Sequence, residues 1–393
     1  MKRRSLSDTL PAFLAGLTIL LFAACSRGGQ EGAATEDSAF GERYTYRYAT
    51  VEPVDLMEDQ FYQFLSEEFN LEIEQQGITW DDWGKTLQVM FSSGNMPDVI
   101  WADPNIMDGL AGINRYAEHG ILHALPADLG RFPHMEAAVR KNRQLWDACK
   151  LEGRNYIWPR WISSSFGAYY QPLVAYRRDW AAKLGFDSSL IRVASNEKII
   201  EMARAFMEMD PYGGGRTIGY ATYGYLDTWL ALNFYNPGFT QYLRQGDRYV
   251  WGPAMPETLA GIKFYKKMYA DGILWKDFFA GRSKDAEKMF YTGQLGIIMG
   301  NFALETIELY YLDFQVLNPD LDAKEVIGFM IPVNSEGRSW KLASDGYWSC
   351  TLFDAKLEEK KLDRFLALMD WLLSVEGKYH AAYGIRGTDW DFD

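Results

Sequence analysis

Three cysteines in 393 residues, Cys25, Cys149 and Cys350, are too few and too far apart to form a disulfide framework. Cys149 and Cys350 could make one bridge, but free buried thiols are expected. Four histidines, His119, His123, His134 and His380, are too scattered for a zinc triad. His119 and His123 have i,i+4 spacing, yet Gly120 interrupts any helix there and no nearby acid completes a ligand set. Positive charge is also short. The chain has 40 Lys+Arg against 53 Asp+Glu, a net −13, which argues against nucleic acid or anionic lipid as partners. Neither a Gly-x-Ser-x-Gly elbow nor a nucleotide cradle is found, because Gly213-Gly214-Gly215 lacks the lysine of a phosphate loop. Low-complexity sequence and solenoid repeats are absent beyond the N-terminal region.

Long apolar runs are missing as well, except at the start. Lys2, Arg3 and Arg4 precede an apolar stretch from Leu10 to Ala24, and Leu21-Phe22-Ala23-Ala24-Cys25 closes it. The stretch is about 15 residues, short of the roughly 20 that a membrane span needs. It reads instead as a secretory signal over residues 1–24. The cysteine after two small residues resembles a bacterial lipobox, although Phe22 replaces the usual leucine. Lipidation of Cys25 and membrane anchoring are therefore expected, with extracytoplasmic localisation in the cell envelope. Residues 25–43 are rich in Gly, Ala, Ser and acids and read as a flexible tether. The ~350 residues that follow exceed what one hydrophobic core supports, so two lobes are expected. Aromatic residues are abundant at 16%; several lie beside Gly, Pro and polar residues, where a binding cleft is plausible.

Tyr44 to Val51 alternates with period two and predicts a strand; Leu71-Glu72-Ile73-Glu74 predicts another. The apolar spacing from Met57 to Phe69 predicts a helix between them, and Trp83 to Ser92 predicts the next. Pro97 to Ala102 reads as a short buried strand ending at Asp103-Pro104. This order predicts a parallel sheet with helices on both faces, whose ligands collect at the strand carboxyl ends. A helix is expected from Pro133 to Leu151. A second α/β pattern starts near Ala168: strands at Leu173–Tyr176, Ile218–Thr222, Leu295–Met299 and Val326–Ile331, and helices at Arg178–Leu184, Asn196–Met209 (capped by Asn196), from near Asp227, Pro256–Tyr269 and Lys284–Phe290. Trp348–Phe353 and the helix Leu357–Ser374 complete it.

Five runs together resemble the extracellular solute-binding proteins (family 1) of bacterial ABC importers, which include alginate-, maltodextrin- and LplA-like binding lipoproteins. They are Phe91-Ser92-Ser93-Gly94-Asn95-Met96-Pro97-Asp98-Val99-Ile100, Tyr156-Ile157-Trp158-Pro159-Arg160-Trp161, Tyr176-Arg177-Arg178-Asp179-Trp180, Phe290 to Gly296, and Trp371 to Gly377. The resemblance implies an α/β, periplasmic-binding-protein type II fold with two lobes joined by hinge strands that close on a ligand. Lobe 1 would be 44–157 with 340–393, and lobe 2 would be 160–337. Two departures stand out. Relatives often carry an Asp-Pro-Asp-Gly-Asn-Gly calcium loop, but here Asp210-Pro211-Tyr212-Gly213-Gly214-Gly215-Arg216 supplies too few carboxylates, so a plain glycine turn and no metal are expected. Relatives also continue past the position of Asp393 with helices that return to the second lobe. On that template the chain is either a truncated frame or a shortened member.

A sugar site needs aromatic planes for stacking and Asp, Asn or Arg for hydrogen bonds. Asp103 follows a strand and aligns roughly with a hydroxyl-binding acid in maltodextrin binders; capping of a helix begun by Pro104 is its bland alternative. Arg160 and Trp161 follow Pro159 at the first crossover, where hinge packing competes with ligand contact. Tyr225 and Trp229 match stacking aromatics in relatives, although Trp229 could be core. Asn301, followed by Phe302, ends a strand on the expected ligand side. Asp345 and Tyr347 lie at the return crossing, and alternation favours Tyr347 over Trp348 for the cleft. Trp80, Trp83, Trp275 and Trp371 are expected in the core, and Arg177 and Arg178 in surface pairs. The resulting expectation is a monomer, without cofactor or catalysis, that captures a carbohydrate ligand and delivers it to permease subunits. A secreted glycoside-active enzyme and a peptide-binding importer component are the rivals. The first needs two carboxylates across a cleft, whereas Glu67-Glu68, Asp81-Asp82 and Glu358-Glu359 read as solvated helix faces or caps.

Overall fold

The computed structural model describes residues 40–391 other than 52, 54, 57–58, 162–171, 223–234, 237–241, 303, 334–336 and 339–345. The expected signal segment, Cys25 and most of the tether fall outside the described residues, as do Tyr225, Trp229 and Asp345. The chain divides into two compact units, Met1–Gly167 with Ser344–Asp393, and Ala168–Ala343.

The first unit opens with β1 (Tyr44–Val51), β2 (Leu71–Ile78), β3 (Val99–Ala102) and β4 (Trp158–Trp161). Period-two burial in β1 turns Tyr44, Tyr46 and Tyr48 inward while Thr45 and Arg47 stay exposed. The helix Gln60–Glu68 begins only where Asp59 accepts the Tyr62 N–H as its cap. The expected single helix after Pro133 is two, Pro133–Lys141 and Arg143–Ala148. Asn142 turns out between them, its side-chain amide donating to the Ala138 carbonyl.

The second unit holds β5 (Pro172–Arg177), β6 (Ile191–Ser195), β7 (Ile218–Thr222), β8 (Tyr242–Gln245), β9 (Arg248–Trp251), β10 (Leu295–Asn301) and β11 (Ile327–Val333). Its main sheet has the order β6-β11-β5-β10-β7, and β8 and β9 form a separate ribbon. Both faces of the main sheet are buried: Val174 and Tyr176 join one apolar cluster and Ala175 the other. The helix Asn196–Met209 is capped by Ser195, which accepts the Lys198 N–H, and not by Asn196. Phe302, expected near a ligand, is core, packed against Tyr310 and Phe329 at 5.2 Å each. Arg177 forms its pair, bidentate to Asp179, but in a buried position over Trp180.

The chain then returns to the first unit with β12 (Tyr347–Phe353) and the helices Glu359–Leu373 and Val375–Tyr383. The first unit's sheet has the order β2-β1-β3-β12-β4. Neither sheet is the all-parallel one that strand–helix alternation predicts. In the first, β12 runs antiparallel to β3 and β4; in the second, β5 runs antiparallel to β10 and β11. The returning segment also locks the unit. Phe365 packs on Tyr46 and Phe353, Asp370 accepts the N–H groups of His134 and Met135, and Arg364 donates to the carbonyls of Glu42, Phe69 and Asn70.

Candidate functional site

At the carboxyl ends of β1 and β3 in the first unit, four indoles and one guanidinium gather. Trp101, on β3, meets Trp83 at 5.0 Å, Trp348 at 5.3 Å and Trp80 at 5.9 Å between ring centroids. Trp80 and Trp348 lie nearly parallel at 6.4 Å. The Arg160 guanidinium stands over Trp348 at 4.7 Å and Trp101 at 5.9 Å, with the residue only 6% exposed. Cation–π attraction strengthens when the cation is desolvated in this way. Trp80, which the sequence places in the core, is 41% exposed because the helix starts only at Trp83 and leaves Trp80 on the preceding turn.

A register irregularity brings Trp348 here. Tyr347 pairs with Trp161 and Cys350 pairs with Pro159, so Trp348 and Ser349 together oppose the single residue Arg160. This is a β-bulge, a device that re-aims side chains. Thr351 is the register partner of Trp101 and shares its face. In a regular strand Trp348, three residues away, would point to the opposite face. The extra residue swings it onto the Arg160 side. Tyr347 and Cys350 also lie an odd number of residues apart, and both are beside Cys149. Burial pushes the Cys149 thiol up to about 11, while a hydrogen bond from Tyr347 draws it partly back. Burial likewise raises Cys350, helped by the charge of Asp103 and by Cys149. Both thiols are free and buried. Tyr347 therefore stands with Cys149, and Trp348 with Arg160.

Several polar atoms around this cluster are buried without a hydrogen-bond partner among the described residues: Nε1 of Trp83, Trp101, Trp158 and Trp161, and the Ser349 hydroxyl. Such groups cost free energy unless an outside partner satisfies them. Trp158 and Trp161 meet at 5.8 Å, each also against Trp146, beside the Arg160 cluster on β4. Tyr48, on β1, is held un-ionised by burial, opposed by the nearby Arg160 charge and by a hydrogen bond with Thr50. Asp103 is half-buried just past β3, ahead of a 3-10 turn over Pro104–Met107. Gly346, which leads into the bulged strand, has φ +91°, and an added Cβ would meet Leu145 at 3.0 Å. The arrangement thus offers ring planes beside one cation, equipment suited to a polar solute with flat apolar faces.

Of the residues anticipated from sequence, Arg160 and Trp161 lie in this region, and Asp103 is at its strand end. Asn301 belongs to the second unit, where it ends β10 half-buried opposite Pro172. The run Asp210–Arg216 is a glycine turn in which the Asp210 carboxylate accepts the Gly215 N–H and both the N–H and hydroxyl of Thr217. Those bonds hold Asp210 below the usual carboxylate range. Among the described residues, no group of three or more His, Cys, Asp or Glu is placed to hold a metal ion, and no helix is long and apolar enough to cross a membrane.

The sequence profile of the bacterial extracellular solute-binding proteins matches residues 55–379. Lipoprotein LipO of Bacillus subtilis (strain 168) is 20% identical over 334 residues, which cover 80% of this chain and 61% of that protein. The chain thus spans about three-fifths of that curated relative's length. Among solved structures, the alginate-binding protein AlgQ2 without calcium ion superposes with TM-score 0.69 at 16% identity, over 90% of this chain and 71% of that one. Maltose-bound MalE3 of T. maritima gives 0.59 at 16% identity, over 87% and 80%. A solute-binding protein of Bifidobacterium longum infantis described as binding HMO gives 0.58 at 17%, over 88% and 70%. These likenesses establish a two-lobed α/β fold of the periplasmic-binding-protein type II class.

Proposed function

The chain belongs to the bacterial extracellular solute-binding proteins, and from that premise we propose that it captures an oligosaccharide or related polyhydroxylated solute outside the cytoplasmic membrane and passes it to the permease of an ABC importer. One observation carries this reading: a buried Arg160 framed by Trp348 and Trp101, with Trp80 presenting an exposed indole beside them. Sugar C–H faces stack on exposed indole surface such as Trp80. Structural relatives whose titles name alginate, maltose or HMO as ligand support the carbohydrate class.

Arg160, Trp161, Asp103, Trp80 and Trp348 are the proposed contacts in the first unit. Capture makes and breaks no covalent bond. The protein acts as a monomer, tethered through lipid on Cys25. The test is equilibrium titration of the protein with a glycan panel, followed by tryptophan fluorescence and calorimetry. A binding glycan changes the emission, and Trp348→Ala weakens its affinity by tenfold or more, about 1.4 kcal/mol. A spectrum indifferent to every glycan at millimolar levels would refute the carbohydrate reading. Release of reducing ends from polysaccharide would make the protein an enzyme instead.

A further inference from the structure

Residues 40–43 are held harder than the first unit's sheet requires. The β1–β2 ladder begins with Tyr44 opposite Leu71, so Phe40 to Arg43 lie ahead of it. Side chains hold them instead. The guanidinium of Arg364, a residue only 8% exposed, stands 4.1 Å from the Phe40 ring centroid and 4.8 Å from that of Tyr44, and a desolvated cation gains most from such faces. Phe40 also meets Phe69 at 6.0 Å, and its carbonyl accepts the Asn70 side-chain amide at 2.9 Å. Arg43 donates to the Ser66 hydroxyl at 2.7 Å, and the Glu42 carbonyl accepts from Arg364 at 2.9 Å. Together these contacts make a collar around the start of the strand.

The collar is at the amino end of β1, and the candidate site is at the other end. Ile100 pairs with Ala49, one residue short of Trp101. Ile78 pairs with Val51, two residues short of Trp80. Tyr44 and Thr50 belong to one unbroken strand, and the rise between them is about 20 Å. The chain that precedes Phe40 therefore leaves this unit at the end remote from the indole cluster.

We propose that the collar fixes the anchor-bearing end of the first unit, so that the candidate site stands on the far side of that unit from the membrane. The inference rests on the lipid tether at Cys25 taken up under the proposed function. What it adds is direction. A Gly- and Ser-rich coil of roughly 15 residues, the length from Cys25 to Phe40, spans about 20 Å root-mean-square. That is no more than the strand rise between collar and site. A pull through the tether meets Arg364, Asn70 and Ser66 before it reaches β1, so the strand that carries Tyr46 and Tyr48 into the core is spared. Solute is taken from the medium side, and the tether has to be drawn out before this unit turns its site to the bilayer.

Two measurements on the chain from residue 25 onward test the collar and its direction. In limited trypsin digestion read by mass spectrometry, cleavage after Arg27 precedes cleavage after Arg43, because the collar has to open first. Arg364→Gln makes the Arg43 site about tenfold more labile, and Phe40→Ala does the same where the arginine variant fails to fold. For direction, a hexahistidine tag ahead of a Cys25→Ser chain binds it to nickel-chelating vesicles that carry an acceptor dye. Glu67, beside the collar, and Asp81, beside Trp80, are both exposed. A donor on Glu67→Cys transfers about twofold more energy to the vesicle than one on Asp81→Cys. Equal transfer, or more from Asp81→Cys, would overturn the proposal. So would cleavage after Arg43 as fast as after Arg27 in wild type. Neither readout depends on acylation. A native N-terminal peptide without the added mass of lipid would instead remove the tether reading, and the two failures are told apart.

Discussion

Inserting one glycine between Arg160 and Trp161 isolates what the bulge does. With it, β4 opposes β12 one residue to one, Ser349 takes the place opposite Arg160, and Trp348 turns to the far face of the sheet. The loss comprises the cation–π contact with Arg160, ~0.5–2 kcal/mol, and ring contacts with Trp101 and Trp80, about 0.5–1.5 kcal/mol each. Together these come to about 1.5–5 kcal/mol, several degrees of melting temperature for a unit of this size. Trp348→Ala loses the same contacts and melts comparably low. Both variants lose the glycan response. Thermal melts, the near-ultraviolet circular dichroism of the stacked indoles, and glycan titration read these effects. An insertion variant that keeps the indole signal and binds glycan like wild type would refute the reasoning about register.

Three further outcomes follow from the same contacts. Asp370→Ala leaves the N–H groups of His134 and Met135 uncapped and lowers stability by ~1–2 kcal/mol in chemical denaturation, with Asp370→Asn recovering part of it. His380 is buried and stacked on Phe64 at 5.0 Å; burial lowers its pKa, with Glu376 opposing and Arg386 adding to the shift. Its folded value lies below its unfolded one, so its contribution to stability is complete above about pH 6.5 and is lost as pH falls through the folded value. The stability of wild type relative to His380→Phe should therefore fall in acid; parallel curves would contradict the assignment. Cys149 and Cys350, buried and with raised pKa values, should resist a disulfide reagent at pH 8 in a form lacking Cys25 and react fully in denaturant. Stability should fall as alkaline pH first ionises the unfolded thiols, and less so in Cys149→Ser.

Local pattern carried much of the fold. Period-two runs located β1 and the start of β2, and the apolar face of Trp83–Ser93 was plain within a residue. The helix Leu304–Leu317 was illegible because Leu, Ile, Tyr and Phe surround it on all sides and leave no stripe to count. The β8–β9 ribbon was hidden because its rings face outward and its turn, Gly246-Asp247, lacks the commonest hairpin pair. At the candidate site, Arg160 and Trp161 could be named from an aromatic and proline-bounded run. Trp348 could not be preferred to Tyr347, since alternation assumes a regular partner strand. A bulge is a property of two strands, β4 and β12, which lie nearly 190 residues apart. Trp80 was misread for a simpler reason: its spacing to Trp83 suits a helix that has not yet begun.

The position of β12 has a consequence for how the molecule comes into being. It fills the gap between β3 and β4, so the N-terminal sheet has a missing plank until residues 347–353 have left the ribosome. The whole intervening unit, Ala168–Ala343, is made first and is contiguous in sequence. Synthesis therefore runs opposite to completion: the earlier half waits, with unpaired strand edges, for the late strand that finishes it. A nascent chain of this kind stays open during translation, the state in which a polypeptide can still be threaded across a membrane.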